Sequence, residues 1–192
     1  MDGPARQPTT SPSLDPPTTR RPMTREMQVS DSVVIDADAE TIWAQVADPT
    51  QMPRWSRENT GATTPEAGRP LTVDERFDGT NKRGRARWIT GCVVTASEPG
   101  RRFAFDVRKI GARTPRLKSR IATWAYDFET VEGGTRVTET WTDGRGAWPD
   151  WMAGAFDRTV TGGKLFADFQ RRNIRRTLAA MKADFESADR TS

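Results

Sequence analysis

The chain has 192 residues, with 30 Lys and Arg against 26 Asp and Glu, one cysteine and no histidine. A single cysteine excludes an internal disulfide framework. The lack of histidine excludes Ser-His-Asp and Cys-His hydrolases, HExxH zinc hydrolases and histidine-ligated iron, so neither a metal nor a cofactor is expected. No apolar run reaches the length of a membrane helix or a signal-peptide core, which makes a cytoplasmic protein the expectation. The net charge of +4 is the small residue of a mixed surface, and no nucleic-acid partner is expected from it.

Residues 1–25 hold six of the thirteen prolines and almost no large apolar side chain. Such a Pro/Thr/Arg-rich segment has too little surface to bury, and it reads as a disordered tail ahead of a single domain spanning 26–189. Met27 to Ile35 reads as the first strand, ending in Val33-Val34-Ile35. A helix follows, with Ile42, Trp43, Val46 and Ala47 on one face, and Asp48-Pro49 stops it and restarts a second short helix that ends at Trp55.

A loop from Gly61 to Pro70 leads to a strand read over Leu71 to Phe77, with Val73 and Phe77 on one face. The next strand, Arg85 to Ser97, carries Trp88, Thr90, Cys92 and Val94 in one phase. Pro99-Gly100 supplies the turn into Arg101 to Val107, where Phe103, Phe105 and Val107 alternate. A basic loop is expected over Arg108 to Arg120, with six cations and no acid; a solvated loop is the ordinary reading, and contact with an anionic ligand or membrane is the lesser one. Ile121 to Val131 alternates through Ala122, Trp124, Tyr126 and Phe128, and Gly133-Gly134 turns the chain into Thr135 to Thr142, with Val137, Glu139 and Trp141 in phase. Short turns make the sheet antiparallel, with one dry face and one wet.

Ala147 to Gly163 reads as a lid-like connection bearing Trp148, Trp151 and Phe156. Lys164 to Glu186 reads as one long helix with Phe166, Phe169, Asn173, Ile174, Thr177, Leu178, Met181 and Phe185 in a stripe and four arginines on its outward half. The fold class is thus α+β: a curved antiparallel sheet of about seven strands wrapped around a long C-terminal helix, with two short helices after the first strand.

Seven Trp and eight Phe against five leucines invert ordinary core usage. Rigid rings leave gaps more readily than branched aliphatics, so Trp88, Phe103, Phe105, Trp124, Tyr126 and Trp141, all on inward phases, either fill the space under the helix or line a pocket in it. Trp55, Phe77 and Phe169 complete the candidate wall. Glu139 is the sharpest polar candidate, because its neighbours in phase are apolar and a buried carboxylate must be paired, protonated or functional. An ion pair with Arg83, Arg85 or Arg87 is the structural alternative. Tyr126, the only tyrosine, is positioned to orient a ligand oxygen. Asn81 and Asn173 either cap local backbone or touch the ligand. Cys92, without a base nearby, reads as a small buried hydrophobe.

Several segments carry a resemblance: Trp43...Asp48-Pro49...Met52-Pro53...Trp55, Arg76 to Asn81, Glu98 to Phe105, Trp124-Ala125-Tyr126 and Gly134 to Glu139. Together they resemble bacterial polyketide cyclase/dehydrase-like members of the SRPBCC superfamily, which includes the START and Bet v 1 proteins. The resemblance implies a helix-grip fold and either of two functions. One is binding or carriage of a hydrophobic, aromatic or polyketide- or lipid-like molecule; the other is a cyclase/aromatase-type enzyme in which Glu139 and Tyr126 transfer protons. No catalytic motif chooses between them.

Overall fold

The computed structural model describes residues 26–146 and 166–189. The tail expected over 1–25 and the lid-like connection expected over 147–163 lie outside these residues. Seven strands form one sheet in the order β1-β7-β6-β5-β4-β3-β2, all neighbours antiparallel. They are β1 (Gln28–Ile35), β2 (Asn59–Thr63), β3 (Arg76–Arg83), β4 (Ala86–Glu98), β5 (Arg102–Gly111), β6 (Leu117–Val131) and β7 (Gly134–Asp143).

The helical connection after β1 follows from local chemistry. Asp38 caps α1 (Ala39–Val46) by accepting from the Thr41 amide at 2.8 Å. Asp48 then accepts from the Thr50 amide at 3.0 Å and starts a 3-10 helix, Pro49–Arg54, in which proline occupies the position where its missing N–H costs nothing. Ile42, Trp43 and Val46 are buried, and the Trp43 indole N–H donates to the Arg102 carbonyl at 3.2 Å, fixing α1 on the end of β5.

The long helix α2 (Phe166–Asp189) buries Ile174, Leu178, Met181 and Phe185. Its outward arginines tie it to the first strand region: Arg175 to Asp31 at 2.8 Å and Arg171 to Glu26 at 2.7 Å. Register shifts at Gly91/Cys92, Val94/Ala96 and Val107/Lys109 mark where β4, β5 and β6 depart from a flat ladder, the usual device for bending strands. Gly134, at φ 122°, sits where a Cβ would lie 2.1 Å from the Ile35 carbonyl oxygen, so the β6–β7 turn requires glycine.

Three expectations change. Asn59–Thr63, read partly as loop, is a β-strand at the sheet edge. The strand read over Leu71 to Phe77 begins only at Arg76: Leu71 is buried and its amide donates to the Ala47 carbonyl, outside any sheet ladder, while Val73 lies 50% exposed beside Asp74, whose φ is positive. The basic segment 108–120 is mostly strand, since β5 continues to Gly111 and β6 starts at Leu117.

Candidate functional site

Between the sheet and α2 lies a cavity of about 620 Å³, a volume within the range that holds a drug-sized ligand. Cross-strand pairing builds its floor. Phe105 faces Trp124 and Trp124 faces Trp141 in adjacent strands, so three rings from β5, β6 and β7 form a row. Phe77, Cys92, Val107 and Ala122 extend the apolar surface, and Phe77 meets Phe105 edge to face with centroids 5.1 Å apart.

The polar groups are few. Tyr126 and Glu139 are direct partners across β6 and β7, and the phenol donates to Glu139 Oε1 at 3.0 Å. Glu139 is 2% exposed, and its other oxygen, Oε2, has no hydrogen-bond partner among the described residues. Burial pushes the Glu139 carboxyl up to about 8, against the opposing pull of the Tyr126 hydrogen bond. At neutral pH this group is mainly the protonated acid. Burial first, and the neighbouring Glu139 second, hold the Tyr126 phenol well above its ordinary value, so it remains a donor. Glu139 forms no ion pair among the described residues with the arginines weighed as its structural partner, and Arg83 pairs with Glu58.

The helix contributes Gln170, Asn173 and Thr177, which line the cavity at spacings of three and four residues along one face of α2. Gln170 is buried with Oε1 unpartnered among the described residues. Arg145, just past β7, also lines the cavity; it is 3% exposed and held by Asp143 through Nε to Oδ1 at 2.9 Å and a second bond to Oδ2 at 2.8 Å. The Cys92 thiol, pushed up to about 12 by burial, is no nucleophile at neutral pH. Among the described residues no group of three or more His, Cys, Asp or Glu gathers to hold a metal.

Of the residues singled out in the sequence, Phe77, Asn81, Trp88, Phe105, Trp124, Tyr126, Glu139, Trp141 and Asn173 come together on this cavity. Three do not line it. Trp55 stacks on Phe185 and donates to Asp184 at 2.8 Å, bracing the 3-10 helix against the C-terminal part of α2. Phe103 is wholly buried, 6.0 Å from the Phe105 ring, in the solid core next to the cavity. Phe169 is half-buried and faces the Arg83 guanidinium, 3.9 Å from its ring centroid. Asn81 donates to the Gly79 carbonyl at 3.0 Å, so it serves local backbone while lining the wall.

Residues 26–186 match the family model described as polyketide cyclase/dehydrase and lipid transport. The chain belongs to that family, and through it to the SRPBCC superfamily. Solved structures share the fold. A START superfamily protein from Mycobacterium smegmatis superposes with a TM-score of 0.59 at 14% identity, over 85% of this chain and 99% of that one. The polyketide-cyclase-like protein Cgl2372 from Corynebacterium glutamicum gives 0.52 at 26% identity, over 85% and 94%. Protein NE0264 from Nitrosomonas europaea gives 0.57 at 8% identity, over 86% and 97%. No curated protein is similar enough to the chain to count as a match.

Proposed function

We propose that the protein binds a hydrophobic, ring-containing small molecule in this cavity and holds the molecule's polar end on the Tyr126–Glu139 pair. One observation carries the reading: a large, mainly apolar volume has the buried Glu139 carboxyl in its wall, with one of its oxygens left unpartnered among the described residues. A buried polar group without a partner is costly to keep, and a ligand oxygen that accepts from the protonated carboxyl relieves that cost. Family membership supports the class of ligand, since polyketide and lipid chemistry both provide rings or chains with sparse oxygen functions.

The test uses N-phenyl-1-naphthylamine as a neutral apolar probe. It should bind at micromolar concentration and quench tryptophan emission, given that Trp88, Trp124 and Trp141 line the cavity. Ala122→Trp fills the floor and should abolish the binding while the fold persists. Equal binding after that substitution would remove the cavity from the reading. Native mass spectrometry of protein purified from its own host would then name the natural ligand.

The titration of Glu139 near 8 favours a second reading, proton transfer of the cyclase kind. A carboxyl that holds its proton at pH 7 and releases it one unit higher is suited to donate to a ketone oxygen and to take a proton from the adjacent carbon. Turnover would then rise or fall with the ionisation of Glu139, and Glu139→Gln would abolish it together with its pH dependence.

A further inference from the structure

The sheet's alternation of strand direction sorts its turns between two ends. The β3–β4 and β5–β6 tips lie at one end, and the β4–β5 and β6–β7 turns lie at the other. Their charges differ. The first tip reads Lys82-Arg83-Gly84-Arg85-Ala86-Arg87 and the second spans Arg108 to Arg120; neither contains an acid. At this end Arg83 pairs with Glu58 and Arg108 with Asp106, while the opposite end pairs Arg102 with Asp127 and Arg136 with Glu129.

The basic end also borders the cavity. Its walls include Arg83, Ala86 and Arg87 from one tip, and Ile110, Gly111 and Ala112 from the other. Arg85, Arg87, Arg113 and Arg116 are exposed, and among the described residues none of them has an ion-pair partner. Ala86 and Ala112 are exposed between these cations, and Ile110 is half-buried.

We propose that this rim docks the basic end of the cavity onto an anionic lipid surface. Charge complementarity supplies the attraction, because cations near such a surface add to one another within the screening length. The apolar cavity, on the ligand reading above, selects the partner: a hydrophobic ligand partitions into bilayers, so a cavity bordered by this rim would meet its ligand at the lipid surface. A nucleic acid or an acidic protein satisfies the charge and leaves the apolar cavity beside it without a role. The docking requires no knowledge of the ligand, and it is tested apart from the cavity reading.

The experiment is co-sedimentation of the full chain with sucrose-loaded vesicles of phosphatidylcholine, with and without phosphatidylglycerol, at low and high salt. The protein should pellet only with phosphatidylglycerol and return to the supernatant at high salt. Each of two independent variants, R85Q/R87Q and R113Q/R116Q, should weaken partition more than tenfold, following roughly fivefold per cation lost near an anionic membrane. R172Q/R176Q, which removes two exposed cations from α2, should change it by less than about twofold on the same scale. Several results would overturn the proposal: no pelleting with phosphatidylglycerol, equal pelleting with phosphatidylcholine alone, or equal losses from the rim and α2 variants. Retention by single-stranded RNA with none by vesicles would assign the rim to nucleic acid and overturn it as well.

Discussion

Strand β7 carries two buried acids four residues apart, Glu139 and Asp143, on the same inward phase as Val137 and Trp141. Asp143 meets a guanidinium in a two-pronged bond, and Arg145 also donates its backbone amide to Oδ1 at 2.9 Å. Among the described residues Glu139 bonds only a phenol. An ion pair keeps both charges and converts them into fixed geometry, whereas an acid with a neutral partner keeps its proton and its capacity to exchange it. The same strand therefore holds one carboxyl suited to architecture and one suited to a ligand.

The largest effect expected from breaking this contrast is at Asp143. Asp143→Ala removes the carboxylate that receives a buried guanidinium, and should cost about 3–5 kcal/mol of stability, read as a lower urea midpoint. A loss below about 1 kcal/mol would place the pair with ordinary surface ion pairs and erase the distinction from Glu139.

The pH dependence of stability sharpens the other half. The folded Glu139 carboxyl titrates near 8 and its ordinary value is 4.5, so between these values the folded state holds a proton that the unfolded state has released. Stability then falls as pH rises through that window and levels off above 8. From pH 4.5 to 7 the decline attributable to this group is on the order of 3 kcal/mol. Glu139→Gln should flatten the slope and leave the protein more stable at pH 8 than the parent. Glu75 acts elsewhere: Arg69 holds it down to about 2, so its contribution is lost only as pH falls below 4.5 toward that value. A parent protein equally stable at pH 5 and pH 8 would show that Glu139 is not a neutral acid in a dry wall.

Much of this arrangement was legible in the sequence, and its gaps have physical reasons. Alternation identified β4 to β7, and it turned Glu139 inward because its neighbours in phase are apolar. Periodicity fixes a face and says nothing of depth. Phe103 and Phe105 share a phase, yet only Phe105 reaches the cavity. The edge strand Asn59-Thr60-Gly61-Ala62-Thr63 has no large apolar residue and a register shift at its start, so it gives no pattern to read. Arg145 lies just beyond the last strand, where alternation has ended and gives no phase to read. Gln170 shares the cavity face of α2 with Asn173 and Thr177, but in the sequence it stands between Phe169 and a run of arginines, so the stripe read through Phe169 and Asn173 passes it by.

The smallest effect expected concerns the one bond that separates Glu139 from an isolated acid. Tyr126→Phe keeps the ring and removes the donor to Oε1, which should cost about 1–2 kcal/mol, as for a buried acceptor left without its partner. The sign of the accompanying titration change is the more discriminating readout. The phenol's hydrogen bond is the influence that lowers the Glu139 value against burial, so its removal should raise the midpoint above 8. Carbon-13 NMR of the labelled carboxyl would follow this directly. An upward move means that Tyr126 stabilises the ionised form and helps the acid release its proton near neutrality, the behaviour required for proton transfer. A midpoint that stays in place or falls would mean that the phenol serves mainly the protonated acid; the pair would then be a fixed polar contact for a bound ligand, and the proton-transfer reading would lose its physical basis.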